Sequence, residues 1–179
     1  MPTIGHVIFG AALGRAYGRG QAQGPRAIAE ALAGATLAAL PDLDFIGRLF
    51  GTSGELGHRG ATHALSFACV CGVVLGWAVS HHGEPRARAM LFASLAIASH
   101  GLLDLFTDCS TGVALFWPLS ATRFLASWRP VPAVPISREL FEARGLLSVL
   151  RELLLFAPLL AYALWPQRVH KGTPSPTSR

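Results

Sequence analysis

Residues 61–80 read ATHALSFACVCGVVLGWAVS, and this stretch decides the fold. Its twenty residues carry no acidic or basic side chain except His63, and at 1.5 Å of rise each they make a helix about 30 Å long, the thickness of a bilayer's hydrocarbon core. The rest of the 179-residue chain agrees: it is 51% hydrophobic, only 14% charged, and its mean hydropathy is +0.43, where a soluble domain carries roughly 25% charged residues. So apolar a composition excludes disorder for most of the chain, and three cysteines are too few for a disulfide scaffold. Cys69 and Cys71 point to different sides of their helix and Cys109 has no spaced partner, so none is expected to ligate a metal.

Residues 89–106 form a second candidate span, apolar except for His100 and Asp104, and residues 146–165 a third, with Arg151, Glu152 and Pro158 inside it. Two shorter Ala-rich segments, 3–17 and 26–40, flank a Gly/Gln/Pro turn; thin spans and a re-entrant pair are both open for them. Pro41 stops the second. The expected fold is an all-α polytopic membrane bundle of about five helices, one metal-binding domain over residues 1–165, with a disordered polar tail over 166–179. Trp117, Ala121, Phe124 and Trp128 fall at helical spacing, so an interfacial helix is expected in the long loop before the last span.

Fourteen Arg and a single Lys are scattered through loops without the runs that track a phosphate backbone, so nucleic acid is not an expected partner. The first apolar stretch has neither a charged start nor an A-x-A site, and no cleaved signal peptide is expected. With five crossings, eight Lys/Arg fall on one side with only Glu30 and Glu84, and seven fall on the other with eight acids. The excess of positive charge assigns the first side to the cytoplasm, with the N-terminus outside and the C-terminus inside.

That topology brings His6, Asp42, Asp44, His58, His63, His100, Asp104 and Glu152 to the outer face. His100 and Asp104, at i and i+4, share one helical face as two ligands of one ion would, or as a hydrogen-bonded pair joining helices would. His58 and His63 flank a glycine-containing turn. Asp42 and Asp44, spaced i, i+2, would face the same way in an extended segment and serve adjacent metals, or one metal and its supporting contacts; a plain Pro-Asp helix stop is the alternative. Glu152 reads as ligand, general base or ion-pair partner of Arg151, and His6 as ligand or interfacial histidine. Mixed imidazole and carboxylate donors suit Zn²⁺ first, with Mn²⁺ or Fe²⁺ next. His81, His82 and His170 lie on the opposite face and read as solvated loop residues.

The string His6 with Gly10, Pro41-Asp42-Leu43-Asp44, His58-Arg59-Gly60-Ala61-Thr62-His63, His100 with Asp104, Thr107, Gly112 and Trp117-Pro118 resembles the YdjM-like family over about residues 3–165. The resemblance implies a bacterial inner-membrane protein and a metal-dependent hydrolase. The His/Asp order is similar, more distantly, to zinc-dependent phospholipase C enzymes. Family members often have Ser after the second histidine of the His-Arg-Gly motif; Ala64 stands there, which excludes a serine nucleophile.

The expected activity is hydrolysis of a phosphoester of a lipid or other interfacial substrate by metal-activated water. One or two divalent ions would sit on His6, Asp42, Asp44, His58, His63, His100 and Asp104, with Arg59 and Glu152 as catalytic candidates. Arg123 and Arg129 would meet the substrate phosphate. A metal-ion transporter would place its ligands near the midplane with repeat symmetry, and no repeat is visible; a non-catalytic adaptor would close its ion's coordination shell.

Overall fold

The computed structural model describes residues 3–18, 25–49, 51, 53–80, 85–134 and 138–165. The tail and the histidines at 81, 82 and 170 lie outside them. In chain order the helices are α1 (Thr3–Tyr17), α2 (Pro25–Ala39), α3 (Asp44–Leu49), α4 (Leu65–Val79), α5 (Arg86–Leu105) and α6 (Ala143–Leu164); α3 is a short stub, leaving five long ones. Pro25 opens α2, where its missing N–H is not needed. At its other end Pro41 removes a donor, and the chain turns through a 3₁₀ segment, Leu40–Leu43, into α3.

Small residues set the packing. α1 lies on α2 where Gly10 meets Gly34 and Ala38, and α4 lies on α5 where Gly72 meets Ser94; a side chain at any of these glycines would strike the facing helix. Backbones that approach this closely gain dispersion and need no apolar knobs, the usual mode of helix association in lipid. α1 also contacts α5 and α6, and α2 contacts α5. A small apolar core of Ile8, Val131 and Phe156, with Ile4, Phe9 and Leu103 around it, fills the space between α1, α5 and α6.

The polarity of the bundle is inverted relative to a soluble protein. Arg59, His6, His100, Glu152, Thr107 and Asp104 are among its largest fully buried side chains, while Val70, Val74 and Trp77 of α4, Leu91 and Leu95 of α5, and Leu150 and Leu154 of α6 are exposed. Both α5 and α6 are long and apolar enough to span, and only 11% of the most apolar stretch of α6 is buried in the protein. A helix this apolar with this little protein cover is solvated by lipid, so the chain is an all-α membrane bundle.

Two expectations change. The span read at 61–80 is shorter: α4 begins at Leu65, whose N–H bonds to the Leu115 carbonyl, and residues 61–63 form a separate 3₁₀ turn. The interfacial helix at 117–128 does not form. Thr107–Asp108 (β1) instead pairs in parallel with Val131–Pro132 (β2), and Val113 and Phe124 exchange both backbone hydrogen bonds at 2.9 Å. Pro118, Pro130 and Pro132 supply no donors, and the cross-chain pairing consumes backbone groups that a helix would use. The aromatic spacing was therefore a coincidence of register.

Candidate metal centre

Seven of the eight polar residues marked in the sequence converge. His6 lies in the first turn of α1, Asp42 in the 3₁₀ turn after α2, and Asp44 at the start of α3. His58 and His63 lie in the loop and turn before α4, and His100 and Asp104 are one turn apart near the end of α5. Gly101 makes the meeting tight, since any side chain there would strike the His63 carbonyl oxygen. Among the described residues, three overlapping groups bring their donor atoms within 4.8 Å of one another, as a shared metal ion would require: His6, His100 and Asp104; Asp42, His63 and His100; and Asp44, His58 and His63.

Hydrogen bonds fix which imidazole nitrogens are available. His100 Nδ1 lies 2.6 Å from the Ala38 carbonyl oxygen; a carbonyl only accepts, so Nδ1 carries the proton and Nε2 presents its lone pair. His58 Nδ1 donates to Asp44 Oδ1 at 2.8 Å, leaving Nε2 buried and without a partner. His63 Nδ1 stands 3.0 Å from Thr62 Oγ1 and 3.3 Å from Asp44 Oδ2, while its Nε2 is also unpartnered. A carboxylate or carbonyl behind an imidazole is how proteins aim a metal-binding nitrogen.

The free atoms face one another. His63 Nε2 lies 3.4 Å from Asp104 Oδ2 and 3.7 Å from Asp42 Oδ1, and His100 Nε2 lies 3.2 Å from that same Asp42 oxygen, which has no hydrogen-bond partner. Donor atoms bound at about 2.0–2.1 Å around one tetrahedral ion stand roughly 3.3 Å apart. The observed spacings fit that edge. Asp42 and Asp44 thus straddle His63, Asp42 on the Nε2 side and Asp44 on the Nδ1 side, and both lie in the helical turns that follow the Pro41 stop, not in an extended segment.

Charge in the cluster is strongly coupled. Burial opposes the charged form of His63, but the Asp42, Asp44 and Asp104 carboxylates outweigh it and raise its pKa to about 9. Burial would likewise raise Asp42 and Asp44; the proximity of His100 and His63 to Asp42, and of His58, His63 and Thr62 to Asp44, reverses this and holds both well below the usual carboxylate range.

Other candidates have different surroundings. His6 Nε2 donates to the His100 carbonyl at 3.2 Å, with Asp104 Oδ1 at 3.6 Å, tying α1 to α5. Arg59, 1% exposed and in the left-handed region at φ 63°, donates to Asp104 Oδ1 at 2.9 Å and to the Thr111 carbonyl at 2.8 Å. Glu152 is the residue not brought into the three groups: its Oε1 accepts the Gly5 N–H at 2.7 Å, so α6 caps the first turn of α1, and Oε2 is buried without a partner. Arg151 is exposed.

Arg123 does not wait for a phosphate. Its guanidinium donates to the carbonyls of Gly54 and Gly112 at 2.9 Å and of Arg59 at 3.2 Å, stapling the turn that carries His58. Arg129 donates to the Cys109 carbonyl. Sequence reading missed the staple and the Ala38 carbonyl because backbone acceptors leave no mark in residue identity. Thr62 donates to Asp44 Oδ2 at 2.7 Å.

The profile of the YdjM inner membrane protein family matches residues 1–170, which contain every residue of the cluster. Inner membrane protein YbcI of Escherichia coli (strain K12) is 39% identical over 111 residues, 59% of this chain and 62% of that protein, so the match spans less than two thirds of the relative's length. No solved structure matches. With a match that runs from α1 through α6, the chain belongs to the YdjM inner membrane protein family.

Proposed function

We propose that this protein is a membrane-bound metal-dependent hydrolase acting on a phosphoester of a lipid or other interfacial substrate. The observation that carries the reading is the convergence of Asp42 Oδ1, His63 Nε2 and His100 Nε2 within 4.8 Å of one another, with Asp104 Oδ2 3.4 Å from His63 Nε2; the Asp42 and His63 atoms are buried without a hydrogen-bond partner. Asp42, His63 and His100 would hold a divalent ion, Zn²⁺ by donor type, with Asp104 beside His63. When bound, such an ion supplies Lewis-acid polarisation of a phosphoryl oxygen and a lowered pKa for attacking water.

The protein's own groups supply the rest. His58, aimed by Asp44 through Nδ1, has its buried Nε2 unpartnered and is the base that would take a proton there. Arg59 neutralises Asp104, and Arg123 holds the His58 turn in place. The charge asymmetry of the loops supports placing this face outside the cytoplasm.

Plasma mass spectrometry of the detergent-purified protein tests the first step. Bound Zn in the wild type, lost in folded His100→Ala and Asp104→Ala proteins, is expected, followed by metal-dependent hydrolysis of lipid phosphodiesters. A wild type that neither holds metal nor takes it up on titration would remove the hydrolase reading; a wild type that holds metal but cleaves no phosphoester would leave a structural ion.

A further inference from the structure

The loop between α5 and α6 has the composition of a membrane span without the helix. From Cys109 to Trp128 its twenty residues carry one charged side chain, Arg123, where about five would be usual in a soluble segment of that length. That guanidinium is engaged by the protein's own backbone, donating to the carbonyls of Gly54, Arg59 and Gly112. The flanking charges, Asp108 and Arg129, stand 3.8 Å apart and pair with each other. What the segment presents outward is apolar: Leu119 is 93% exposed, Trp128 72% and Phe116 48%, and Phe124 and Leu125 are exposed as well.

Its place in the bundle accounts for this surface. α4 has 15 residues, about 22 Å of helix, and falls about 8 Å short of a hydrocarbon core about 30 Å thick. The segment sits on the N-terminal end of that short helix: the Leu65 N–H donates to the Leu115 carbonyl at 3.0 Å, and the Ser66 hydroxyl to the Trp117 carbonyl. Leu115 thus takes the place that a carbonyl of a preceding helical turn would have. The exposed apolar surface of α4, carried by Val70, Val73, Val74 and Trp77, is thereby extended past the helix end by Phe116 and Leu119, which supplies the thickness the helix lacks. Unpaired backbone groups would keep a non-helical chain out of lipid. Here Val113 and Phe124 exchange both hydrogen bonds, the Ala114 N–H donates to the Arg59 carbonyl at 3.0 Å, and the Ser120 N–H donates to the Phe116 carbonyl at 3.1 Å.

We infer that residues 113–128 form a membrane anchor, with Phe116, Leu119 and Trp128 seated in lipid at the hydrocarbon–headgroup boundary of the cluster end of the bundle. Tryptophan is favoured at that depth. The anchor stands whether or not the cluster is catalytic. One consequence rests on the hydrolase reading: because Ala114 and Arg123 both bond to the Arg59 carbonyl, the turn carrying His58 is held at headgroup depth, where the phosphoester of a bilayer lipid lies.

Spin-label accessibility of the full-length chain in phosphatidylcholine liposomes tests the anchor. The readout involves neither metal nor turnover, so its failure leaves the hydrolase reading standing. Leu119→Cys and Trp128→Cys, each combined with Cys69→Ala, Cys71→Ala and Cys109→Ala, take a nitroxide at exposed positions, and Val74→Cys in the same background gives the lipid-facing reference. Oxygen partitions into lipid and a nickel chelate into water. At positions 119 and 128 oxygen collisions are expected to exceed nickel-chelate collisions, by a smaller factor than at the deeper position 74. Nickel-chelate collisions in excess at either loop position, with position 74 in lipid, place the segment in water and overturn the inference. Exclusion of both reagents, with dipolar broadening between labels, would seat a second copy of the chain there and overturn it equally.

Discussion

Asp44→Asn separates a carboxylate that orients ligands from one that ligates. In the structure Oδ1 accepts from His58 Nδ1 at 2.8 Å, while Oδ2 accepts from Thr62 at 2.7 Å and faces His63 Nδ1 at 3.3 Å. Asparagine has the same shape but keeps one accepting oxygen, so one of these two sets of bonds is lost whichever way the amide turns. Losing an orienting hydrogen bond behind a metal-bound imidazole raises the dissociation constant about 10–100-fold, or about 1.4–2.7 kcal/mol. Asp42→Ala and His63→Ala remove a facing donor atom outright. Competition of Zn²⁺ between the detergent-purified protein and a chromophoric chelator yields affinity and stoichiometry together. Asp44→Asn should retain the wild-type stoichiometry at 10–100-fold weaker affinity, whereas the two alanine variants should lose the ion. Loss of stoichiometry in Asp44→Asn would make Asp44 a ligand; unchanged affinity would show that its carboxylate aims nothing.

The same geometry fixes three further outcomes. Gly101→Ala puts a methyl group against the His63 carbonyl oxygen, and should weaken Zn²⁺ binding by about tenfold or more while circular dichroism stays helical; unchanged affinity would mean the turn can retreat freely. Glu152→Gln keeps an acceptor for the Gly5 N–H and should leave bound metal unaltered, whereas Glu152→Ala should lower stability by about 1 kcal/mol through the lost cap; metal loss in the glutamine variant would restore Glu152 as a ligand. In chelator-treated protein, His63 titrates near 9 against 6.5 when unfolded. Its contribution is complete below pH 6.5 and lost as pH rises through about 9. The depressed Asp42 and Asp44 stabilise above their ordinary 3.8 and lose that effect as pH falls below it. Thermal melts should therefore decline from pH 6.5 to 9, and a flat profile there would show that His63 is not held protonated.

How much of this was legible in the sequence depends on what each residue does. A histidine and an aspartate four apart in a lipid-ready helix announce themselves, because the bilayer penalises both. Hence the sequence alone marks His100, Asp104 and their partners as residues of one face. Helix limits followed from proline and hydropathy to within a few residues, as for α1, α2, α5 and α6. The loop at 107–134 could not be read in the same way: its order comes from β1 pairing with β2 across 23 residues, from Val113 bonding to Phe124, and from the Arg123 staple. Nor could sequence divide the acids into roles. Asp42 and Asp44 are alike as letters, and only the side of His63 each faces distinguishes them.

Their shared environment also bears on how many ions the cluster can hold. Asp42, Asp44 and Asp104 have side chains 14%, 3% and 2% exposed, and Arg59 is the guanidinium placed among them. Three carboxylates against one guanidinium leave two negative charges, and each uncompensated charge in such surroundings costs several kcal/mol. A proton on His63 removes one of them, which is what its raised pKa reports. One divalent ion bound to neutral imidazoles removes both and releases that proton. A second ion would leave the cluster as positive as it had been negative, with the same penalty and with His6 Nε2 already committed to the His100 carbonyl. The expected content after dialysis is therefore one tightly held divalent ion per chain. Two equally tight ions would refute the charge argument and require His6 to turn toward Asp104 as part of a second site.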